Sequence, residues 1–156
     1  MSQEPADDST HGNTWVESGR SEVCIAVTFD ASKVGWMNTI SSGAVIGVAA
    51  LHLYFLVLEM FFWTKPLGRR TFGLTTEFAQ ASKTLAANQG LYNGFLAAGL
   101  AWGVYVGSTE GYALKLFFLC CVIIAGIFGA ATANQKILWV QAVPGAIALA
   151  LVCVSK

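Results

Sequence analysis

From residue 40 onward the chain alternates four long apolar runs with short polar joints. The first, 40–63, carries no acidic or basic side chain except His52 and Glu59. Roughly 24 residues at about 1.5 Å each cross a hydrocarbon core of about 30 Å. Three more runs follow at about 86–106, 112–132 and 137–154, the last only just long enough to cross. The runs are continuous rather than alternating, which predicts helices and not barrel strands, because a crossing backbone must satisfy its own hydrogen bonds. Beyond Thr75 and Thr76, which suit a cap, the composition from Glu77 to Ala87 is already helical. The second helix is therefore predicted to begin near residue 76 as an amphipathic segment at the membrane surface. The predicted fold is all-α, a membrane-embedded antiparallel four-helix bundle with helices at about 40–63, 76–106, 112–132 and 137–154.

Residues 1–36 differ in kind. Glu4, Asp7, Asp8, Glu17, Glu22 and Asp30 stand against Arg20 and Lys33 among Ser, Thr and Gly, which predicts a disordered polar tail. The apolar run from Val23 to Phe29 is too short to span, and the acidic start lacks the early apolar core of a cleaved signal peptide. A tail of 1–36 and a four-helix transmembrane domain of 37–156 are the expected domains.

Composition agrees with a membrane location: 55% of residues are hydrophobic and 12% charged, where a soluble domain carries about 25% charge. The distribution of basic residues adds an orientation. Lys65, Arg69, Arg70 and Lys83 face only Glu77 in the first loop and Lys136 lies in the third, while the second holds Glu110 with Lys115 at its edge. The positive-inside rule then puts loops 1 and 3 in the cytosol and both termini on the opposite side.

Orientation turns scattered polar residues into a constellation. With the first helix running inward, Glu59 lies about 6 Å above its cytosolic end and His52 near mid-bilayer. Asn88, Gln89, Tyr92 and Asn93 on the second helix, and Gln141 on the fourth, enter at the depth of Glu59. At 100° per residue His52, Leu56, Glu59 and Trp63 fall within about 60° of one another. Asn88 with Tyr92 and Gln89 with Asn93 form two stripes, the four spread over about 140°, so not all four point at one site. The candidate catalytic pair is Glu59 as proton donor and His52 as proton acceptor, with Trp63, Asn88, Gln89, Tyr92, Asn93 and Gln141 as substrate-binding residues. The competing reading is structural: the same groups act as interhelical glue, with Glu59 paired to Arg69, Arg70 or Lys83.

Spacing excludes simpler chemistry. His52 and Glu59 stand about 10.5 Å apart along the axis, too far for an ion pair or for one metal ion, and no metal is expected. Cys24, Cys120, Cys121 and Cys153 show no CxxC or metal-like spacing. No phosphate-cradling loop or nucleic-acid patch is present, and no cofactor is indicated. The pairs Gly43–Gly47, Gly90–Gly94 and Gly99–Gly103–Gly107 have the spacing that lets helix backbones approach closely. Trp102, Tyr105, Tyr112 and Trp139 suit interfacial belts, and Pro144 predicts a kink in the fourth helix.

The run from His52 through Glu59 to Trp63, then Phe72-Gly73-Leu74 and the stretch from Leu85 to Leu100, resembles the family known as domain of unknown function 1304. The resemblance covers about residue 38 to the end and implies a small four-helix integral membrane protein; it names no substrate. Two function classes are expected. One is a cofactor-independent acid/base enzyme that binds a lipophilic small molecule between helices. The other is a non-catalytic binding, transport or accessory subunit whose polar layer is structural. The expected partners are membrane lipids, a lipophilic small molecule and a second copy through the glycine-rich faces, with no nucleic acid.

Overall fold

The computed structural model describes residues 14–156, and all regular structure among them is helical. Helix α1 spans Thr14–Val57 and runs directly into a π turn, Leu58–Phe62. Two short helices follow, α2 (Pro66–Phe72) and α3 (Thr76–Ala81), then the long α4 (Lys83–Val106) and α5 (Ser108–Thr132). A second π turn, Leu138–Ala142, leads into α6 (Val143–Val154). Contacts divide the chain into Met1–Trp36 and Met37–Lys156, and the hydrophobic core lies in the second unit.

Residues 14–36 are helical where composition predicts a disordered tail; residues 1–13 of that tail lie outside the described residues. No proline interrupts 14–57, and a helix already nucleated in an apolar segment extends at one hydrogen bond per residue. The first loop differs too, because it contains α2. Pro66 opens that helix and Gly73, at φ 68°, closes it, the asymmetry expected of proline at a start and glycine just past an end. A Cβ on Gly68 would collide with the carbonyl of Phe62, so α2 lies directly against the first π turn. The Thr75 hydroxyl caps α3 by accepting the Phe78 N–H at 3.2 Å, and α3 ends at Ser82 before α4 resumes.

Only Gly107 separates α4 from α5, at φ 61°, a conformation that side chains resist. This one-residue link is why α5 begins at Ser108 and not near 112.

The core draws Val45, Val48 and Ala49 from α1, Leu100 from α4, Leu119 and Val122 from α5, and Ala148 and Val152 from α6. At one end the Ser155 hydroxyl lies 3.0 Å from that of Ser41, which joins the finish of α6 to α1. Among the described residues two stretches are long and apolar enough to cross a membrane, Gly35–Phe62 and Thr109–Thr132. The second is only 17% buried over its apolar window, the reverse of a core helix in a water-soluble protein. Helix α4 has the length but carries Lys83, Asn88, Gln89 and Asn93, and the apolar stretch Leu138–Val154 is shorter.

Candidate functional site

The best-defined polar contact between long helices centres on Glu59. Asn93 of α4 donates from Nδ2 to Glu59 Oε2 at 2.7 Å, with Asn93 only 6% exposed. Glycine makes this approach possible. A Cβ on Gly90 would stand 2.7 Å from Met60 Cγ and 3.1 Å from Glu59 Cβ, and one on Gly94 would stand 2.5 Å from Leu56 Cδ1. The buried stripe of α4 runs Ala86, Gly90, Asn93, Ala97, Leu100, Gly103, so Asn93 is its one amide. Asn88, Gln89 and Tyr92 are exposed.

Glu59 sits inside the first π turn and Gln141 inside the second. Both turns lie at one level along the helices. Gly99 packs on Phe118 and Gly126 on Ala142, so counting along the antiparallel helices brings Gln141 level with Gly90, the residue that faces Glu59. The second π turn follows from Pro144, which has no N–H to give to the helix; the N–H of Val143 reaches back to the Leu138 carbonyl instead. π turns recur at functional sites because they re-aim side chains and free carbonyls within a helix. Gln141 is half-buried there.

His52 occupies a different environment. It is fully buried (0% exposed), one turn beyond Val48 and Ala49 of the core, with its ring edge-on to Phe55 at 6.3 Å. Its Nδ1 lies 2.9 Å from the Val48 carbonyl. A carbonyl only accepts, so Nδ1 carries the proton, and the neutral ring leaves Nε2 as an acceptor. That buried Nε2 has no hydrogen-bond partner among the described residues. The first π turn begins between His52 and Glu59 and advances each residue by less than the α-helical 100°. The two side chains differ in surroundings: His52 is enclosed in the core, and Glu59 is half-buried beside Asn93.

Trp63, half-buried, donates from Nε1 to the Ser82 hydroxyl at 3.0 Å and packs its ring on Phe72 at 5.0 Å. Ser82 was not among the sequence candidates; a lone serine between two helical stretches carries no pattern that marks it. The loop arginines do not pair with Glu59. Arg69 donates to the Thr76 hydroxyl, and the carboxylate takes Asn93 in place of a cation. Among the described residues no three His, Cys, Asp or Glu side chains converge as metal ligands. Gly43 and Gly47 of α1 have open space where a Cβ would be, unlike the occupied glycines of α4.

Over residues 46–153 the sequence matches the family described as protein of unknown function (DUF1304). The uncharacterized protein YpaA of Lactococcus lactis subsp. lactis (strain IL1403) is 31% identical over 96 residues, which cover 60% of this chain and 80% of that protein. No solved structure matches.

Proposed function

The chain belongs to the DUF1304 family, and for it we propose a small multi-pass membrane protein that binds a lipophilic small molecule at the Glu59–Asn93 layer. Four antiparallel crossings make the bundle, with loops 1 and 3 in the cytosol and both ends of the bundle on the opposite side. The exposed Lys65, Arg70 and Lys83 support that sidedness, and the Ser41–Ser155 contact supports an even number of crossings. One observation carries the binding reading: a carboxylate and an amide meet across two helices at 2.7 Å, at the depth where two separate helices each break into a π turn. Structural glue needs the hydrogen bond but not two irregular turns at the same level.

The layer acts as a cofactor-independent acid/base centre. Glu59 gives the proton, Asn93 and Gln141 orient the substrate, and Trp63 closes the inner edge. Asn88, Gln89 and Tyr92 line the exposed approach. His52 is the proton acceptor two turns deeper, and its Nε2, without a hydrogen-bond partner among the described residues, supports the role. Isomerisation, hydration and cyclisation of a lipophile need no more than these groups.

Proton exchange with solvent separates this enzyme from a binding or accessory subunit. Membranes holding the protein are incubated in D2O and their lipid extracts compared with those of Glu59→Gln and His52→Ala. A lipophile that gains deuterium only with the unaltered protein supports catalysis. A lipophile bound by the unaltered protein but never deuterated assigns the layer to binding alone.

A further inference from the structure

Resting on the binding half of that reading, and taking Glu59 after it has given up its proton, we propose that its ligand is a lipophilic amine, held as the ammonium against the Glu59 carboxylate. Among the described residues Glu59 is the only formally charged side chain at this depth. Its partner Asn93 is a neutral amide, which satisfies one oxygen lone pair and supplies no positive charge. The basic residues of the first loop follow Trp63 in the sequence, and Arg69 donates from Nη1 to Thr76 and not to Glu59. A half-buried carboxylate without a countercharge lacks what an ammonium brings: N–H donors and a unit positive charge in a medium where Coulomb attraction is strong.

The neighbours fit the same chemistry. Trp63 lies one turn from Glu59 along the chain, with its indole N–H spent on Ser82 and its ring against Phe72, so a cation that reached it would meet an aromatic ring and not a competing donor. An acidic lipophile meets repulsion from Glu59 and finds no cation at this depth. The apolar body of an amine suits the lipid-exposed side chains of Met60 and Leu91 on either side.

A pair of probes with one shape isolates the charge. 1-Aminoadamantane and 1-adamantanol share a cage and differ in whether the polar group is an ammonium or a hydroxyl. Each is titrated calorimetrically into the full chain in phosphatidylcholine nanodiscs, with empty nanodiscs subtracted. The amine is expected to bind saturably, one per chain, roughly tenfold or more tighter than the alcohol. Glu59→Gln, which keeps an oxygen for the Asn93 N–H, is expected to erase that preference. Should the variant fail to fold, as judged by circular dichroism, the comparison on the unaltered chain decides alone. Alcohol binding as well as amine overturns the amine proposal and leaves the layer as a site for neutral lipophiles. So does a preference that survives Glu59→Gln, which puts the cation elsewhere. If neither probe saturates, the lipophile that co-purifies decides: one with a basic nitrogen upholds the proposal, one without sinks it. No co-purifying lipophile at all sinks both the amine and the binding layer.

Discussion

Replacing Asn93 with leucine removes the one donor that reaches Glu59 among the described residues and leaves a half-buried carboxyl unpaired. A hydrogen bond to a charged group is worth about 1.5–3 kcal/mol in water-soluble proteins. Between membrane helices the measured average is about 0.6 kcal/mol with a maximum of about 1.7, because the separated helices find other partners. Asn93 is almost fully enclosed and the contact is short, which places this pair near the upper end, at about 1–2 kcal/mol. Stability is read from reversible unfolding in mixed micelles for Asn93→Leu, Glu59→Leu and the double variant. Each single change strands one polar group, whereas the double change strands neither, so its cost falls short of the sum by about 1–2 kcal/mol. Additivity within about 0.3 kcal/mol would show that the two side chains are not coupled and would refute the layer as drawn.

The enclosed histidine behaves differently from glue. His52→Leu loses the bond to the Val48 carbonyl but also the orphaned Nε2, so unfolding stability stays within about 1 kcal/mol of the unaltered chain; a loss well above 2 kcal/mol would make His52 a structural residue. Pro144→Ala restores an N–H at the second π turn, which lets the turn relax to α-helix and rotates Gln141 out of the layer. Slower amide exchange over 139–144 with weaker ligand binding is the expected result, and an unchanged exchange pattern contradicts it. Gly47→Leu enters open space whereas Gly90→Leu collides with Met60 and Glu59. The first is expected to leave folding intact while dissociating a dimer that uses this face, read by sedimentation; the second is expected to cost about 2 kcal/mol or more of stability.

The long helices were legible because uninterrupted apolar runs of membrane length have few alternatives to helix. Their inner details were not. The two π turns change the pitch over five residues each, too short a stretch to leave a periodic signal; Pro144 marks the second, and the expected kink takes the form of that turn. Helix α2 was visible in principle, since Pro66 and Gly73 bracket it at the right spacing, but its charges read as loop. Among Asn88, Gln89, Tyr92 and Asn93, angle alone showed that they diverge without choosing among them. The choice is set by packing: Asn93 shares a stripe with Gly90 and Ala97, small residues that admit a neighbouring helix. Glu59 likewise had basic residues within reach in sequence, and tertiary contact gave it an amide instead. Residues 14–36 failed the compositional reading because helix propagation from an adjoining apolar segment outweighs a polar composition.

Native mass spectrometry of the gently extracted protein tests the central claim most directly, because it weighs what the layer holds. The unaltered chain is expected to retain a lipophilic molecule of defined mass at one copy per chain, and Glu59→Gln is expected to lose it while keeping its ordinary complement of bulk lipid. A chain that carries bulk lipid alone, or a defined ligand retained equally by Glu59→Gln, would contradict the assignment of the Glu59–Asn93 layer as a binding site.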